Sequence, residues 1–427
     1  MPQPPSFKVA PPRIPDTVFP ITDFNAKPAP GRDNSGAIAR AIEACHVSGG
    51  GRVEVPAGEW LTGPIHLRSK VRLHLEEGAA LRFSQTFEDY LPVVFTRWEG
   101  VECYNYSPLI YALDCEDIAV TGKGRLLGGG EAWWDWKQSQ PEVGKELYEA
   151  EYNGIDVNDR IYGRVHTLRP SFVQPVRCKR VLIEGVTIED GPMWTVHPVY
   201  CEDVTVRGIG VASGGPNTDG LNPDSCERVL IERCAFSTGD DCIALNAGMN
   251  EDGSRVNRPC RDVLVRHCKT CRGHGGIVIG SAVSGGIENV YVHDLRCEGT
   301  DRGIRIKSIR GRGGYVKNVL IERVVLEHIT KVGIEISMYY PTKIKPRSSL
   351  PSTFEDIAIR NVSGTAMGRA VSIRGLPESP VRNLTLEAVD LSAPNPSECA
   401  DVENIQVKNC ALATLPETEG NNSKDET

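Results

Sequence analysis

Four short segments of the chain place acidic, basic and histidine side chains next to glycines and β-branched residues. They read NTDGLNPDS from Asn217, GDDCIALNAG from Gly239, GHGGIVIGS from Gly273 and DRGIRIKS from Asp301. Each segment has an apolar centre, and these centres are Leu221, Ile243, Ile277 and Ile304. Aligned by their centres, the segments bring residue types that exchange protons or bind anions to matching positions.

The alignment becomes a spatial prediction if the segments are neighbouring strands. Parallel strands stack about 4.8 Å apart and their side chains alternate between faces, so residues at equal offsets line one surface. Asp219 then lies level with Asp241, and Asp240 lies level with His274. The next two outward positions hold Asn222, Ala244, Val278 and Arg305, and then Asp224, Asn246, Gly280 and Lys307.

The predicted patch combines three carboxylates, a histidine and two cations: Asp219, Asp240, Asp241, His274, Arg305 and Lys307. A single aspartate commonly serves a turn, but turn formation does not explain the whole set. Hydrolysis of a glycosidic bond uses such groups, since one carboxyl protonates the leaving oxygen while others activate water or attack the sugar. Crowding of like charges raises the pKa of one acid. The histidine can tune or re-protonate that acid, and the cations can bind the carboxylate of a sugar.

A repeat of short apolar strands supplies the elements that would position these segments. The strands are β-branched, are separated by Gly, Asp and Asn turns, and have no helical period between them. A repeat of this kind favours a solenoid of strands over leucine-rich or ankyrin repeats. The sequence therefore predicts an all-β fold, a parallel β-helix. Strong copies begin 23 to 34 residues apart, at Val181, Val204, Val229, Val263, Val290 and Val319, and weaker ones at Ile118, Ile357, Leu384 and Ile405.

A solenoid needs covered ends, because an open rung exposes unpaired backbone. Residues 34–45 predict an N-terminal capping helix that Asn34 or Ser35 can cap. Its apolar face consists of Ala37, Ile38, Ala41, Ile42 and Cys45. We predict an N-terminal extension over 1–17, one β-helix domain over 18–415 and a polar, disordered tail over 416–427.

Fourteen cysteines are spread along the chain. No CxxC pair is followed by a second pair or by histidines at zinc spacing, so we expect no metal site. Several cysteines recur at similar offsets in the repeats, which favours stacked interior thiols. We interpret the one CxxC pair, Cys268 and Cys271, as packing residues at a turn of the coil.

Charge and composition restrict the class of partner. The formal net charge of −8 argues against a nucleic-acid binder. A local basic cluster between Arg302 and Lys317 still suits an anionic substrate. No apolar run is long enough to cross a bilayer. Residues 1–20 are proline-rich and lack the apolar core of a signal peptide, so we expect either a cytoplasmic protein or a secreted or periplasmic one whose signal was trimmed.

The four segments resemble, in order and spacing, the NTD, DD, GHG and RIK motifs of the polygalacturonases, glycoside hydrolase family 28. With the helix and the repeats, the likeness covers about residues 18–415. It implies a right-handed parallel β-helix that cleaves α-1,4-linked galacturonic acid in pectin. It also implies inverting hydrolysis without a metal or other cofactor.

The resemblance assigns a role to each matched residue. Asp240 is implied as the general acid, supported by His274, and Asp219 and Asp241 as the pair that activates water. The remaining matches concern the substrate: Arg305 and Lys307 would bind the galacturonate carboxylate, and Asn217 would orient the site or contact the sugar. Asn222 and Asn246 face the same predicted surface and are further candidates for substrate binding.

The chain also departs from the family pattern. Asn246 and Ala247 stand where bacterial relatives often carry a lysine and a serine, and Ala282 stands where they often carry a glutamate. A lost lysine can mean a lost carboxylate contact, hence a neutral sugar such as rhamnose beside the galacturonate. One alternative is therefore a galacturonidase acting on rhamnogalacturonan ends or oligosaccharides. More distant alternatives are a calcium-dependent pectate lyase and a non-catalytic carbohydrate-binding solenoid, although the acid trio beside a histidine fits hydrolysis better.

Exo action requires loops that close one end of a cleft. The segment 85–175, rich in tryptophan and tyrosine, and the loop 338–354 are candidates. The aromatic residues fit stacking on sugars and packing on the solenoid flank equally well. Loop residues that would suit an anionic chain end are Tyr339, Lys343, Lys345 and Arg347. We favour exo over endo action.

Overall fold

The chain folds as a right-handed parallel β-helix, as predicted. A computed structural model describes residues 2–342 and 346–414, and the predicted tail over 416–427 lies outside them. Apolar side chains from most of the described strands are buried inside the coil, which gives the rungs one continuous core. The first residues of the predicted repeats stand side by side in parallel register, from Ile118 through Val181, Val204, Val229, Val263, Val290, Val319 and Ile357 to Leu384.

Most strands belong to one long sheet of 22 strands, here called sheet II. It wraps around two sides of the coil. Its strands are Val18–Pro20, Gly51–Val55, Gly58–Thr62, Val71–Leu75, Ala79–Phe83, Glu116–Gly122, Arg125–Leu127, Lys179–Glu184, Thr187–Glu189, Glu202–Arg207, Gly210–Ser213, Glu227–Glu232, Ala235–Thr238, Cys260–Arg266, Lys269–Cys271, Ile287–Glu298, Tyr315–Ile329, Thr353–Ala366, Val381–Ala393, Val402–Glu403, Gln406–Lys408 and Ala411–Thr414.

A third side of the coil, here called sheet I, carries the four polar segments. Isolated bridges at Val196 and Leu221 join its two runs of parallel strands. The first run comprises Ile65–His66, Ile110–Leu113 and Val173–Val176, and the second comprises Ile243–Leu245, Ile277–Ile279, Arg302–Lys307, Val332–Ser337, Arg369–Arg374 and Glu398–Ala400.

The N-terminal rung is covered by helix α1, Ser35–Val47, as predicted. Its buried residues are the five of the predicted apolar face. The side chain of Asn34 does not cap the helix, because its Oδ1 accepts a hydrogen bond from the amide of Lys27. The backbone carbonyl of Asn34 instead accepts the first helical hydrogen bond, from Ile38.

Five cysteines form a column inside the coil, one on each of five successive rungs. Each sulfur lies against a backbone carbonyl of the preceding rung, at 3.2 Å for Cys226 and Pro198 and at 3.3 Å for Cys201 and Pro175. The column confirms the predicted stacked thiols, and all fourteen cysteines are free. It consists of Cys115, Cys178, Cys201, Cys226 and Cys260.

An insertion between the early rungs lies beside sheet I. It contains the antiparallel hairpin Val94–Trp98 and Val101–Asn105, the strand Ile161–Tyr162 and helices α2, Glu131–Trp134, and α3, Gln140–Tyr152. Short 3₁₀ turns occur at Phe87–Tyr90, Asp135–Gln138 and Val157–Asp159, and another precedes α1 at Ile21–Phe24. A fully buried ion pair of 2.9 Å between Arg97 and Asp224 fastens the hairpin to the coil.

The aromatic residues of the insertion differ in their surroundings. Trp133 is completely buried and packs against Tyr90 and Trp136 at ring distances of 5.2 and 4.9 Å. Trp98 and Tyr148 instead line a cavity over sheet I. One further helix, α4, Asn250–Val256, lies in the loop between two rungs. Among the described helices, none combines the length and apolar composition that a bilayer crossing requires.

Candidate active site

The four polar segments meet on sheet I in the predicted register. Ile277 pairs with Ile243 on one side and with Ile304 on the other, and Leu221 bridges to Ile243. Arg305 consequently stands beside Val278. The alignment by apolar centres is therefore confirmed, and equal offsets do share one surface.

The three aspartates converge at this surface. One carboxylate oxygen from each of Asp219, Asp240 and Asp241 lies within 4.8 Å of the other two. Asp219 and Asp241 are almost fully buried, whereas the side chain of Asp240 keeps 20% of its surface exposed. His274 places Nδ1 3.0 Å from Oδ1 of Asp240, as the level positions predicted.

Glycines on both sides of His274 make this approach possible. A Cβ atom at Gly273 would lie 2.3 Å from the carbonyl oxygen of Asp240, and the φ of this residue is +84°. A Cβ atom at Gly275 would lie 3.0 Å from Oδ1 of Asp241. The GHG sequence thus lets the chain around His274 approach both Asp240 and Asp241 closely.

The pKa values of the clustered groups are shifted in different directions. Burial raises the pKa of Asp219 well above its usual range, and the charges of Asp240 and Asp241 raise it further. Burial alone would also raise the pKa of Asp240, but the hydrogen bond and charge of His274 and the charge of Lys307 lower it below its usual range. The hydrogen bond to Asp240 raises the pKa of His274. Burial and the neighbouring charges thus favour the protonated form of Asp219, whereas the contact with His274 favours the ionised form of Asp240.

Both predicted cations are engaged by acids from other rungs. The ammonium of Lys307 lies 2.6 Å from Oδ2 of Asp241, and Nε of Arg305 lies 2.7 Å from Oε2 of Glu335. Both acids are distant in sequence from the basic cluster between Arg302 and Lys317. Tyr340 lies over both cations, with its ring centre 4.9 Å from the Lys307 ammonium and 5.4 Å from the Arg305 guanidinium carbon.

The three predicted asparagines all lie at the site but differ in their contacts. Asn222 donates a hydrogen bond of 2.9 Å to Asp219 and is completely buried, which makes it a neighbour of the acid. Asn217 accepts hydrogen bonds from Lys137 at 2.5 Å and from Arg169 at 2.7 Å, and lines the cavity. Asn246 also lines the cavity.

The cavity over the acids measures about 430 Å³. Segments that the sequence singled out only as wholes also contribute to its lining: Trp98 and Tyr148 from the aromatic segment 85–175, Arg312 from the basic cluster and Tyr340 from the loop 338–354. Sequence reasoning missed Glu99, Lys137 and Trp194 as site residues. Only their proximity to the acids in the folded chain identifies them.

Tyr339 is a predicted site residue that the structure places elsewhere. It is 41% exposed, lies under the guanidinium of Arg374 and does not line the cavity. Its neighbour Tyr340 does so instead, because successive residues of extended chain point in opposite directions. Arg347 of the same loop lies over the ring of Tyr152, whereas Lys343 and Lys345 are outside the described residues.

The spacing of the three carboxylates would also suit a divalent cation. However, Lys307 and His274 already supply positive charge to Asp241 and Asp240 at hydrogen-bond distance. Protein side chains therefore compensate the charge that a metal would otherwise neutralise. The arrangement is that of an acid–base centre at the base of a cavity whose wall contains cations that can bind an anion.

Comparison with known proteins agrees with this chemistry. An exo-poly-alpha-D-galacturonosidase of Dickeya chrysanthemi is 25% identical over 437 residues, which cover 93% of this chain and 71% of the relative. The crystal structure of a hyperthermoactive exopolygalacturonase from Thermotoga maritima is 38% identical, with a TM-score of 0.88 and 94% of both chains covered. A family 28 exopolygalacturonase of Yersinia enterocolitica shares the fold at 22% identity, with a TM-score of 0.78 and coverage of 94% and 76%.

The family model for glycosyl hydrolases family 28 matches residues 162–411. This match contains all four polar segments and the whole acid cluster. Because it covers more than half of the chain, the chain belongs to glycosyl hydrolases family 28.

Proposed function

We propose that the chain hydrolyses α-1,4-linked galacturonic acid from the end of a pectin-type polysaccharide or oligogalacturonide. The observation that carries this proposal is the convergence of Asp219, Asp240 and Asp241 with His274 beneath a cavity whose wall contains Lys307. The names of the Dickeya and Thermotoga relatives support the same substrate and the same exo action.

In the proposed reaction Asp240 protonates the glycosidic oxygen as that bond breaks. Its side chain reaches the cavity, and its partner His274 has a side chain that is 54% exposed and can exchange protons with solvent. A water held by Asp219 and Asp241 attacks the anomeric carbon and gives up its proton to Asp241, which Lys307 pairs as an anion. His274 then returns a proton to Asp240 and takes one up from solvent, and Asp241 releases the proton it received to water when the product leaves, which restores the starting state.

Exo action is supported by the way two loops approach each other over sheet I. Helix α3 contributes Tyr148 to the cavity wall, and Tyr340 enters from the loop after strand Val332–Ser337. The same two segments also touch where Arg347 lies over Tyr152, at 4.8 Å from its ring centre. Such a contact restricts a long polymer from threading through the cavity, so a chain end would enter.

Product analysis on polygalacturonic acid tests this proposal. We expect one small product, mono- or digalacturonate, from the first minutes, with viscosity falling slowly. A ladder of oligomers with a rapid fall of viscosity would contradict exo action. No cleavage of galacturonan, together with cleavage of rhamnogalacturonan oligosaccharides, would favour the alternative galacturonidase, for which the neutral Asn246 in the cavity is the motivating residue.

A chelator experiment separates hydrolysis from elimination. A calcium-dependent lyase would lose activity in EDTA and form an unsaturated product that absorbs ultraviolet light. We expect EDTA to leave the rate unchanged and the product to show no such absorbance, because Lys307 and His274 supply the positive charge at the acids.

A further inference from the structure

Arg312 is a buried cation in the wall of the active-site cavity. It lies in the loop between strands Arg302–Lys307 and Tyr315–Ile329, and only 2% of its surface is exposed. Its Nε and Nη1 atoms have no hydrogen-bond partner among the described residues. Within the described residues, the one hydrogen bond of its side chain runs from Nη2 to Oγ of Ser281 and is long, at 3.5 Å.

Three other buried arginines of this chain are paired with acids, and a fourth, Arg169, donates its hydrogen bonds to neutral oxygens of Gln140, Pro192, Pro216 and Asn217. Arg97 pairs with Asp224 at 2.9 Å, Arg160 with Asp252 at 2.8 Å, and Arg305 with Glu335 at 2.7 Å. Arg312 forms no ion pair with a described carboxylate. A guanidinium stays charged at any ordinary pH, and burying it without a partner is unfavourable. Burial lowers its pKa, which expresses the same unfavourable environment.

The cations that line the cavity differ in the ion pairs and hydrogen bonds that they already form within the protein. Lys307 is paired with Asp241, and Lys137 donates to Oδ1 of Asn217. The cavity wall also contains Ser281, which Arg312 contacts, and Ala282 and Asn246, and none of these three residues carries a charge. Among the described cations of the cavity wall, Arg312 is therefore the one that is buried with two donor atoms unpartnered, and it keeps donors and charge for an incoming anion.

We propose that Arg312 binds the carboxylate of a terminal galacturonate and makes one end subsite of the cavity specific for an acidic sugar. This rests on the proposed hydrolysis of galacturonan and adds a specificity-determining residue to it. A planar guanidinium can present two donors to one carboxylate, which a lysine cannot do. The neutral Asn246 would then not imply a neutral sugar, because the charge comes from the opposite loop.

The test compares Arg312→Gln with the parent on three substrates. These are trigalacturonate and two analogues in which the carboxyl group of one or the other terminal residue is reduced to a hydroxymethyl group. We expect Arg312→Gln to lower kcat/KM on trigalacturonate about ten- to hundredfold, chiefly through KM. On the analogue that lacks the recognised carboxyl, parent and variant should have equal, low kcat/KM, and this identifies the end that is bound.

Two further variants make the experiment decisive. Arg312→Lys keeps the charge but not the paired donors and should fall between parent and Arg312→Gln. Arg310→Gln is the matched control, because Arg310 lies two residues away, pairs with Glu378 on the surface and lines no part of the cavity. It should retain the parent's kinetics. Since no described carboxylate pairs with Arg312 and would be left unpaired, Arg312→Gln should keep the melting temperature of the parent.

Equal losses on all three substrates, no loss on any, or a substantial fall in melting temperature would each overturn the role of Arg312. A parent enzyme that cleaves none of the three would instead overturn the proposed function. The two failures are thus distinguishable in one set of assays.

Discussion

Lys307 and Asp241 form an ion pair of 2.6 Å in which the side chains keep only 7% and 4% of their surface exposed. Burial alone would lower the pKa of Lys307, but the attraction of Asp241 raises it above its usual value. The two residues come from rungs that are not adjacent, since strand Ile277–Ile279 lies between their strands. One contact thus ties three rungs together at the catalytic carboxylates.

Replacement of Lys307 by methionine should therefore affect both stability and activity. It would leave Asp241 as a buried charge without its cation, and breaking such a pair destabilises a protein by about 3–5 kcal/mol. We expect that loss in urea unfolding, together with a fall in kcat/KM of at least about tenfold on galacturonan. The double variant Lys307→Met with Asp241→Asn should recover part of the stability but none of the activity.

A methyl-esterified substrate distinguishes two roles of Lys307 and Arg305. One is contact with the substrate carboxylate, and the other is to hold Asp241 and Glu335 in place. If Lys307 also contacts the galacturonate carboxylate, Lys307→Met and Arg305→Gln should lose less on an esterified analogue, which lacks that charge, than on the acid. Equal losses on both substrates would assign the two cations to holding Asp241 and Glu335 in place.

Each of the three aspartates should be required for turnover. We expect Asp219→Asn, Asp240→Asn and Asp241→Asn to lower kcat by orders of magnitude while far-ultraviolet circular dichroism stays unchanged. A single variant with near-parental kcat would remove that residue from the mechanism. Asp390→Asn, on the outer face of sheet II, is a suitable control and should be fully active.

Stereochemistry is a separate expectation. Inverting pairs usually lie about 6.5–9.5 Å apart, whereas the three carboxylates here come within 4.8 Å of one another. Stacking on adjacent rungs imposes this short spacing, so we follow the family resemblance and expect inversion. Proton NMR of the first anomer formed decides the matter, and initial release of the retained anomer would contradict the water-attack scheme.

His274 should set the alkaline limb of the activity profile. Asp240 raises the pKa of His274, so the pair keeps its shared proton to higher pH than an aspartic acid alone would. Activity is then present below that raised pKa and is lost as pH rises through it. His274→Gln should lower kcat and move the alkaline limb of kcat/KM to lower pH. His267→Gln, on the exposed face of sheet II, should leave the profile unchanged, and a shift of the limb to higher pH in His274→Gln would refute the shared proton.

The ion pair between Arg97 and Asp224 should contribute stability that depends on pH. Burial alone would raise the pKa of Asp224, but Arg97 and His197 lower it below its usual range. The contribution is therefore present above the unfolded-state pKa of about 3.9 and is lost as pH falls through the lower folded value.

Arg97→Met should cost about 3–5 kcal/mol of unfolding free energy at pH 7, and the difference from the parent should narrow as Asp224 becomes protonated in acid. Chemical unfolding across pH measures both. Lys123→Gln breaks the exposed pair of Lys123 with Glu77 and should change stability by less than about 1 kcal/mol. A constant difference at every pH would mean that Arg97 acts through packing alone.

The sequence predicted the solenoid and its register because both depend on local patterns. The centres Leu221, Ile243, Ile277 and Ile304 recur with the strand period, and a buried strand face tolerates no one-residue slip. Asp219, Asp241 and His274 could therefore be placed next to each other from their spacing along the chain. The apolar face of α1 was predictable for the same reason, at the helical period.

The cavity wall could not be predicted, because it depends on contacts between segments that share no periodicity. Nothing near Arg305 in the sequence indicates Glu335, which reaches it from the next rung. Likewise Tyr340 rather than Tyr339 faces the site, which a loop sequence does not determine. Arg312 lies in a glycine-rich turn, and only its burial without a partner distinguishes it from the exposed Arg310.

The column of thiols inside the coil provides built-in reporters of unfolding, one for each of five rungs. Every rung of the column shields one sulfur, so an alkylating reagent can reach that sulfur only while the rung is separated from its neighbours. In a solenoid such separations are local and propagate between adjacent rungs. Brief alkylation followed by mass spectrometry would measure how fast each buried thiol becomes reactive during unfolding. The exposed Cys399, which reacts in the folded state, serves as the reference. The order in which the column thiols react gives the order in which their rungs open: Cys115, Cys178, Cys201, Cys226 and Cys260 are the five sites to compare.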